Sequence, residues 1–161
     1  TVTGVQTCAL PIYKNVRVVV FTCNHCPYAQ AYEDRLIALQ GDYADKGVQL
    51  LAINANDAAG YPEDSFENMI RRAEKKGFNF PYLRDESQRA ARSYGAEYTP
   101  EAYVVDAQSK IRYIGRIDDN WQHPHKAKSQ DLRGAIDAVL AGQPVENTVT
   151  HAIGCTIKWK L

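Results

Sequence analysis

The chain has 161 residues, 45% of them hydrophobic and 24% charged, which suits one globular domain with a single core and excludes a disordered polymer. Lysine plus arginine number 19, as do aspartate plus glutamate, and neither sign forms a block, so the charge pattern offers nucleic acid and anionic membrane nothing to bind. No apolar run reaches the roughly 20 residues of a bilayer span and no signal-peptide series is present, so no membrane span is expected and the expected setting is cytoplasmic.

Val2 to Ile12, VTGVQTCALPI, resembles the conceptual translation of a sequencing-library adaptor along its whole length. Residues 1–12 are therefore set aside as a non-native segment replacing the natural start, 13–142 are read as one domain, and 143–161 as a C-terminal tail. Cys8 then carries no meaning, and the cysteines that count are Cys23, Cys26 and Cys155.

VRVVVF, Val16 to Phe21, has the β-branched composition of a strand buried on both faces. Pro27 to Tyr43 places Tyr28, Ala31, Tyr32, Leu36 and Leu39 at helical steps, with proline suited to a first turn and Gly41 and Gly47 punctuating the end. VQLLAIN, Val48 to Asn54, repeats the buried-strand pattern after a crossover of helical length, which predicts a right-handed βαβ unit with parallel strands. Asp64 and Ser65 are suited to cap a helix through Lys76 that Gly77 ends. Phe80 to Leu83 reads as a short return segment and Ser87 to Tyr94 as a helix stopped by Gly95. After Thr99-Pro100, AYVVD and KIRYIG form a hairpin, and Gln130 to Leu140 forms a last amphipathic helix; the tail is left unplaced.

This order is that of a minimal thioredoxin-like α/β fold, a mixed central sheet flanked by helices, with Ala58 to Gly95 inserted ahead of the proline loop. If the first strand ends at the cysteines, an antiparallel hairpin strand begins at the same edge. Cys23, Pro100 and the Gly115 to Lys128 loop should then share one rim.

Cys23 and Cys26 form a CxxC pair at a strand-to-helix junction. Structural zinc wants four ligands and finds no second pair; recruiting Cys155 and His151 requires the tail to fold back. A purely structural disulfide would close too small a loop to stabilise much. Redox chemistry needs a thiolate, and the N–H groups and macrodipole of a helix N-terminus favour one. The expectation is that Cys23 is the exposed, acidic nucleophile and Cys26 the buried resolving thiol. His25 is either a solvent-facing residue or a donor to the thiolate, and in the second case its replacement by an apolar residue lowers the reduction potential.

FTCNHCPYAQAYEDRL, LLAINANDAAGYPEDSFENM, GFNFPYLRDESQ, YGAEYTP and IGCTIKWK together resemble the bacterial thioredoxin-like proteins of the redoxin or AhpC/TSA group, from Val16 to Leu161. The resemblance implies a redox centre at Cys23 and Cys26 that is itself a disulfide, with no bound cofactor and no metal. It also implies a cis peptide at Thr99-Pro100, with the Thr99 backbone pairing an extended substrate. The sequence departs from the group in lacking the segment ahead of the first strand and in carrying Tyr98 where many relatives carry cysteine. Peroxide-reducing relatives show Pro-x-x-x-Thr-x-x-Cys, and neither cysteine fits, since Val16 and Val20 precede Cys23 and Val19 and Cys23 precede Cys26.

The expected activity is thiol-disulfide exchange with a protein or small-molecule disulfide, with electrons from another thiol system. A thiol peroxidase and a copper-chaperone-like use of Cys23, Cys26 and a rim histidine are the alternatives. In the Gly115 to Lys128 loop, Arg116, Asp118, Asp119, Trp121, His123 and His125 form either a solvated connection or a working rim. In the latter, Trp121 contacts substrate and Asp118 or Asp119 assists proton transfer. The buried carboxylate that thioredoxins place under the cysteines is not evident in the first strand, so the general base is unassigned. Cys155 is either an inert tail thiol or an extra resolving thiol, which would need Cα atoms within about 7 Å of its partner.

Overall fold

Strand β1 (Val16–Phe21) alternates its side chains cleanly between the two faces of the sheet: Val16, Val18 and Val20 enter one core cluster, Val19 and Phe21 the other. A strand so placed must be central. In the computed structural model, which describes residues 15–161, it lies in the middle of a five-stranded sheet. The reading of residues 1–12 as non-native lies outside the described residues.

Helix α1 (Pro27–Tyr43) follows, then β2 (Val48–Asn54), parallel to β1 with Val16 opposite Val48. Helix α1 has the expected span, with Gly41 in its last turn, and the helical segment ends after a 3-10 turn where Gly47 takes φ 78°. That left-handed conformation costs glycine little. Helix α2 (Phe66–Lys76) is capped by Ser65, whose hydroxyl accepts from the Asn68 N–H, and closed by Gly77. Asp64 caps nothing there and is used elsewhere. Arg72 of α2 donates to the buried Glu33 of α1 through Nε and Nη2, tying the two helices.

Strand β3 (Tyr82–Arg84) is parallel to β2, and α3 (Arg89–Tyr94) begins after Gln88. Gln88 is buried with φ 60°, and its amide donates to the carbonyls of Ala55 and Lys158, which holds an unusual backbone in place. Strand β4 (Tyr98–Thr99) precedes the hairpin of β5 (Glu101–Val105) and β6 (Ile111–Gly115), and helix α4 (Asp131–Leu140) completes the layer that packs with α1 and α2. The sheet order is β3-β2-β1-β5-β6, with β5 antiparallel to both neighbours. The expected thioredoxin-like arrangement and inserted α2 segment are therefore present, and no helix among the described residues is long and apolar enough to cross a membrane.

The tail, left unplaced from sequence, returns across the molecule. Its two-residue strand β7 (Cys155–Thr156) pairs antiparallel with β4. Ile157, 3% exposed, fills the cluster formed by Phe21, Leu51 and Tyr103, and the Lys158 N–H donates to Asn56. Ile157→Ala should therefore lower stability by about 2–4 kcal/mol in urea unfolding, and a loss under about 0.5 kcal/mol, the size of an ordinary surface substitution, would show that the tail is not docked.

Candidate active site

Pairing of Phe21 with Glu101 sets the end of β1 beside the start of β5, so the residues just after one strand and just before the other must meet. Cys23 and Cys26 come from the first segment, Thr99 and Pro100 from the second, and the Thr99-Pro100 peptide is cis. Thr99 Oγ1 lies 3.5 Å from Cys23 Sγ, and the Thr99 carbonyl lies 3.4 Å from Cys26 Sγ. Cys26 is the N-cap of α1, with extended backbone ahead of Pro27. All three described cysteines are free thiols.

One expectation about the pair is overturned: Cys23 is not exposed, being 3% accessible against 1% for Cys26. The surroundings of the two sulfurs also differ. The hydrogen bond from the Cys23 thiol, with further ones from the Cys155 thiol and the Ala29 N–H, lowers the Cys26 pKa to about 4, while donating that bond, burial and the charge of Asp64 push the Cys23 thiol up. The helix N-terminus favours a thiolate at either position, and these hydrogen bonds favour it at Cys26.

A fully buried carboxylate does lie near Cys23: that of Asp64, within 4.8 Å of its sulfur. It comes from the turn before α2, about forty residues from the cysteines, where sequence gave it only the look of a helix cap. Its Oδ1 accepts from the Asn24 N–H (2.7 Å) and the Asn54 amide (3.2 Å), and its Oδ2 accepts from the Asn56 amide (2.9 Å) and His25 Nδ1 (2.5 Å). His25 is therefore neither a free surface residue nor turned to a sulfur through that nitrogen. Its ring is stacked on Tyr61 with centroids 5.7 Å apart. Asn24 is locked in turn, donating to the Glu63 carbonyl and accepting from the Tyr82 hydroxyl.

Cys23, His25 and Asp64 offer ligand atoms within 4.8 Å of one another. Asp64 nevertheless has both oxygens engaged by four donors, and a cation binding there would strand them.

The rim forms as the topology requires. Trp121 packs on Tyr28 with ring centroids 4.6 Å apart, and Tyr28 packs against the cysteine cluster. The proton-transfer roles expected of Asp118 and Asp119 do not fit. Asp118 is 1% exposed and accepts from Arg35 (2.8 and 2.9 Å), the Tyr32 hydroxyl (2.9 Å) and the Asn120 N–H (2.9 Å). A carboxylate with its oxygens held by a guanidinium, a hydroxyl and a main-chain N–H in this way fixes the loop. Asp119 accepts from the N–H groups of Lys128 and Ser129, which holds its pKa below the usual range.

The substrate edge expected at Thr99 is already occupied. β4 pairs with the chain's own β7, Thr99 opposite Cys155. A Cβ on Gly154 would collide with the Thr99 carbonyl, so only glycine lets the tail lie this close. The half-buried Cys155 thus comes to 2.6 Å from Cys26 Sγ, and burial together with its hydrogen bond to Cys26 pushes its thiol up to about 11.

Comparison with known proteins agrees with this architecture. An uncharacterized conserved protein of Geobacillus kaustophilus superposes with a TM-score of 0.84 at 44% identity, over 91% of this chain and 78% of that one. A secreted Mycobacterium tuberculosis disulfide oxidoreductase shares the fold, with a TM-score of 0.57 at 20% identity, over 79% of this chain and 84% of that one. Among curated proteins, the thiol-disulfide oxidoreductase ResA of Halalkalibacterium halodurans is 24% identical over 91 residues, 56% of this chain and 48% of that protein. The chain spans about half the length of the curated relatives it matches. The model of the AhpC/TSA family matches residues 2–114, and with a thioredoxin-like fold built around its CxxC pair the chain belongs to that family.

Proposed function

We propose that the protein is a thiol-disulfide oxidoreductase that exchanges the Cys23 and Cys26 dithiol for the disulfide of a protein or small molecule and is recharged by another thiol. The observation that carries this reading is the geometry: two buried free thiols of a CxxC pair at a helix N-terminus, each beside Thr99 of the cis Thr99-Pro100 peptide. Exchange needs one attacking thiolate and one thiol ready to follow.

Access favours Cys23 as the attacking sulfur, since Cys155 and the Thr99 carbonyl crowd Cys26. The Cys23 proton crosses to Cys26; the Cys23 thiolate attacks the substrate disulfide, and one substrate sulfur leaves as a thiolate. Cys26 then gives up its proton and attacks Cys23, releasing the second substrate thiol and closing the Cys23–Cys26 disulfide. Asp64 and its hydrogen-bond partner His25 lie close to Cys23, and they replace Asp118 and Asp119 as the candidate path for the departing proton. Thr99 and Pro100 form the floor under the sulfurs, and the Trp121 and Tyr28 rings are the apolar wall offered to substrate. Trapping decides the order of attack: with Cys155→Ser present throughout, Cys26→Ser should hold a mixed disulfide on Cys23 when given an excess of aromatic disulfide, and a stable adduct on Cys26 in Cys23→Ser instead would reverse the assignment.

The protonation state is directly measurable. Because the folded Cys26 pKa is depressed, one thiolate should absorb at 240 nm throughout pH 5 to 8 and disappear only as the pH falls toward about 4. Cys23→Ala removes the main lowering contact and should shift that titration upward; a reduced protein with no thiolate below about pH 8, the range of an ordinary cysteine, would contradict the assignment.

The two buried carboxylates should separate by phenotype. Asp118→Ala leaves the Arg35 guanidinium without its counter-charge and should cost about 3–5 kcal/mol of stability while leaving the exchange rate of the folded protein unchanged. Asp64→Asn should slow exchange at least tenfold and alter its pH profile, as the loss of a proton-transfer group does. Equal rates in folded Asp64→Asn and wild type would remove Asp64 from the chemistry.

A further inference from the structure

Three thiols, not two, meet beside the Thr99-Pro100 peptide, and the third is held there by construction. The tail is anchored on both sides of Cys155. Gly154 allows the close approach to Thr99, β7 fixes Cys155 opposite Thr99, and Ile157 is buried two residues later. The Cys155 sulfur is thereby set 2.6 Å from Cys26 Sγ, on a segment 129 residues distant in sequence.

We propose that Cys155 is a third redox thiol, exchanging into a Cys26–Cys155 disulfide that returns Cys23 to the reduced state within the same molecule. This rests on the exchange activity proposed above, which supplies the Cys23–Cys26 disulfide at the expense of a substrate disulfide. The Cys155 thiolate attacks Cys26 Sγ. The S–S bond between Cys26 and Cys155 forms as that between Cys23 and Cys26 breaks, and Cys23 leaves with the electron pair and takes up the proton that Cys155 has lost. No electrons enter or leave the protein in this step.

Electrostatics favour the step only when it is needed. In the reduced protein the charge on Cys26 raises the Cys155 pKa. Once Cys26 is in a disulfide that charge is gone, and the ammonium of Lys158, which lowers the Cys155 pKa, remains. The oxidising equivalent moves from the buried Cys23 to the half-buried Cys155, where the recharging thiol meets it nearer the surface.

The test uses the full chain with Cys8→Ser to silence the remaining cysteine. The reduced protein is oxidised with limiting diamide, quenched with acid, alkylated with N-ethylmaleimide and digested with trypsin. Cys23 and Cys26 share the tryptic peptide running from Val18 to Arg35, and Cys155 lies on that from Gly134 to Lys158. The proposal expects a cross-linked pair of these peptides with the maleimide on Cys23, and expects Cys23→Ser to form the same intramolecular link. If only the Cys23–Cys26 disulfide forms, with Cys155 alkylated throughout and Cys23→Ser unlinked, the third-thiol role is overturned while the exchange activity stands. If diamide yields no intramolecular disulfide at all, both readings fall.

Discussion

The antiparallel pairing of Phe21 with Glu101 is the constraint on which the site depends. It fixes two chain segments at one sheet edge, so that a CxxC pair leaving β1 and a Thr-Pro pair entering β5 are neighbours whatever their surface residues do. Cys26 then stands at the N-cap of the helix that begins at Pro27, and the carbonyl and hydroxyl of Thr99 lie close to the two sulfurs. The chemistry is positioned by backbone hydrogen bonds in the middle of a sheet, the least deformable part of such a fold.

Two buried carboxylates illustrate how similar residues acquire different work. Asp118 is held against Arg35 and Tyr32, and the energy of that contact goes into shaping the rim that carries Trp121. The Asp64 carboxylate has amides, a main-chain N–H and an imidazole as hydrogen-bond partners, while Arg84 donates to its main-chain carbonyl instead. A carboxylate of the second kind, lying near a thiol, feels each change in the charge of that thiol. The inserted segment ahead of α2 thus does more than lengthen the chain, since it delivers this group to the cysteines.

The sequence made much of this legible, for identifiable reasons. Unbroken β-branched runs marked β1 and β2 as central, and the strand-helix order then implied the shared rim before any coordinates. Asp64 was hidden because it belongs to no motif and sits in a turn where capping explained it equally well. The tail was hidden because β7 is two residues long and its placement comes from Gly154 and Ile157 docking on distant elements, a tertiary effect with no local period. The burial of Cys23 and the contacts of the two sulfurs were hidden because spacing says which residues are near a helix end but not what packs over them. The bounds of α1 were legible, Pro27 to Tyr43, because its helical apolar steps run through Gly41 and the packing of Leu36, Leu39 and Tyr43 carries it there.

The account stands or falls on Cys23 and Cys26 being a reversible redox couple. Equilibrating the protein across dithiothreitol and glutathione buffers, then counting alkylated Cys23 and Cys26, tests this most directly. The prediction is a two-electron transition, tenfold in the ratio of forms per about 30 mV, centred between about −270 and −120 mV. Two cysteines that stay alkylatable at every potential in that range would contradict it.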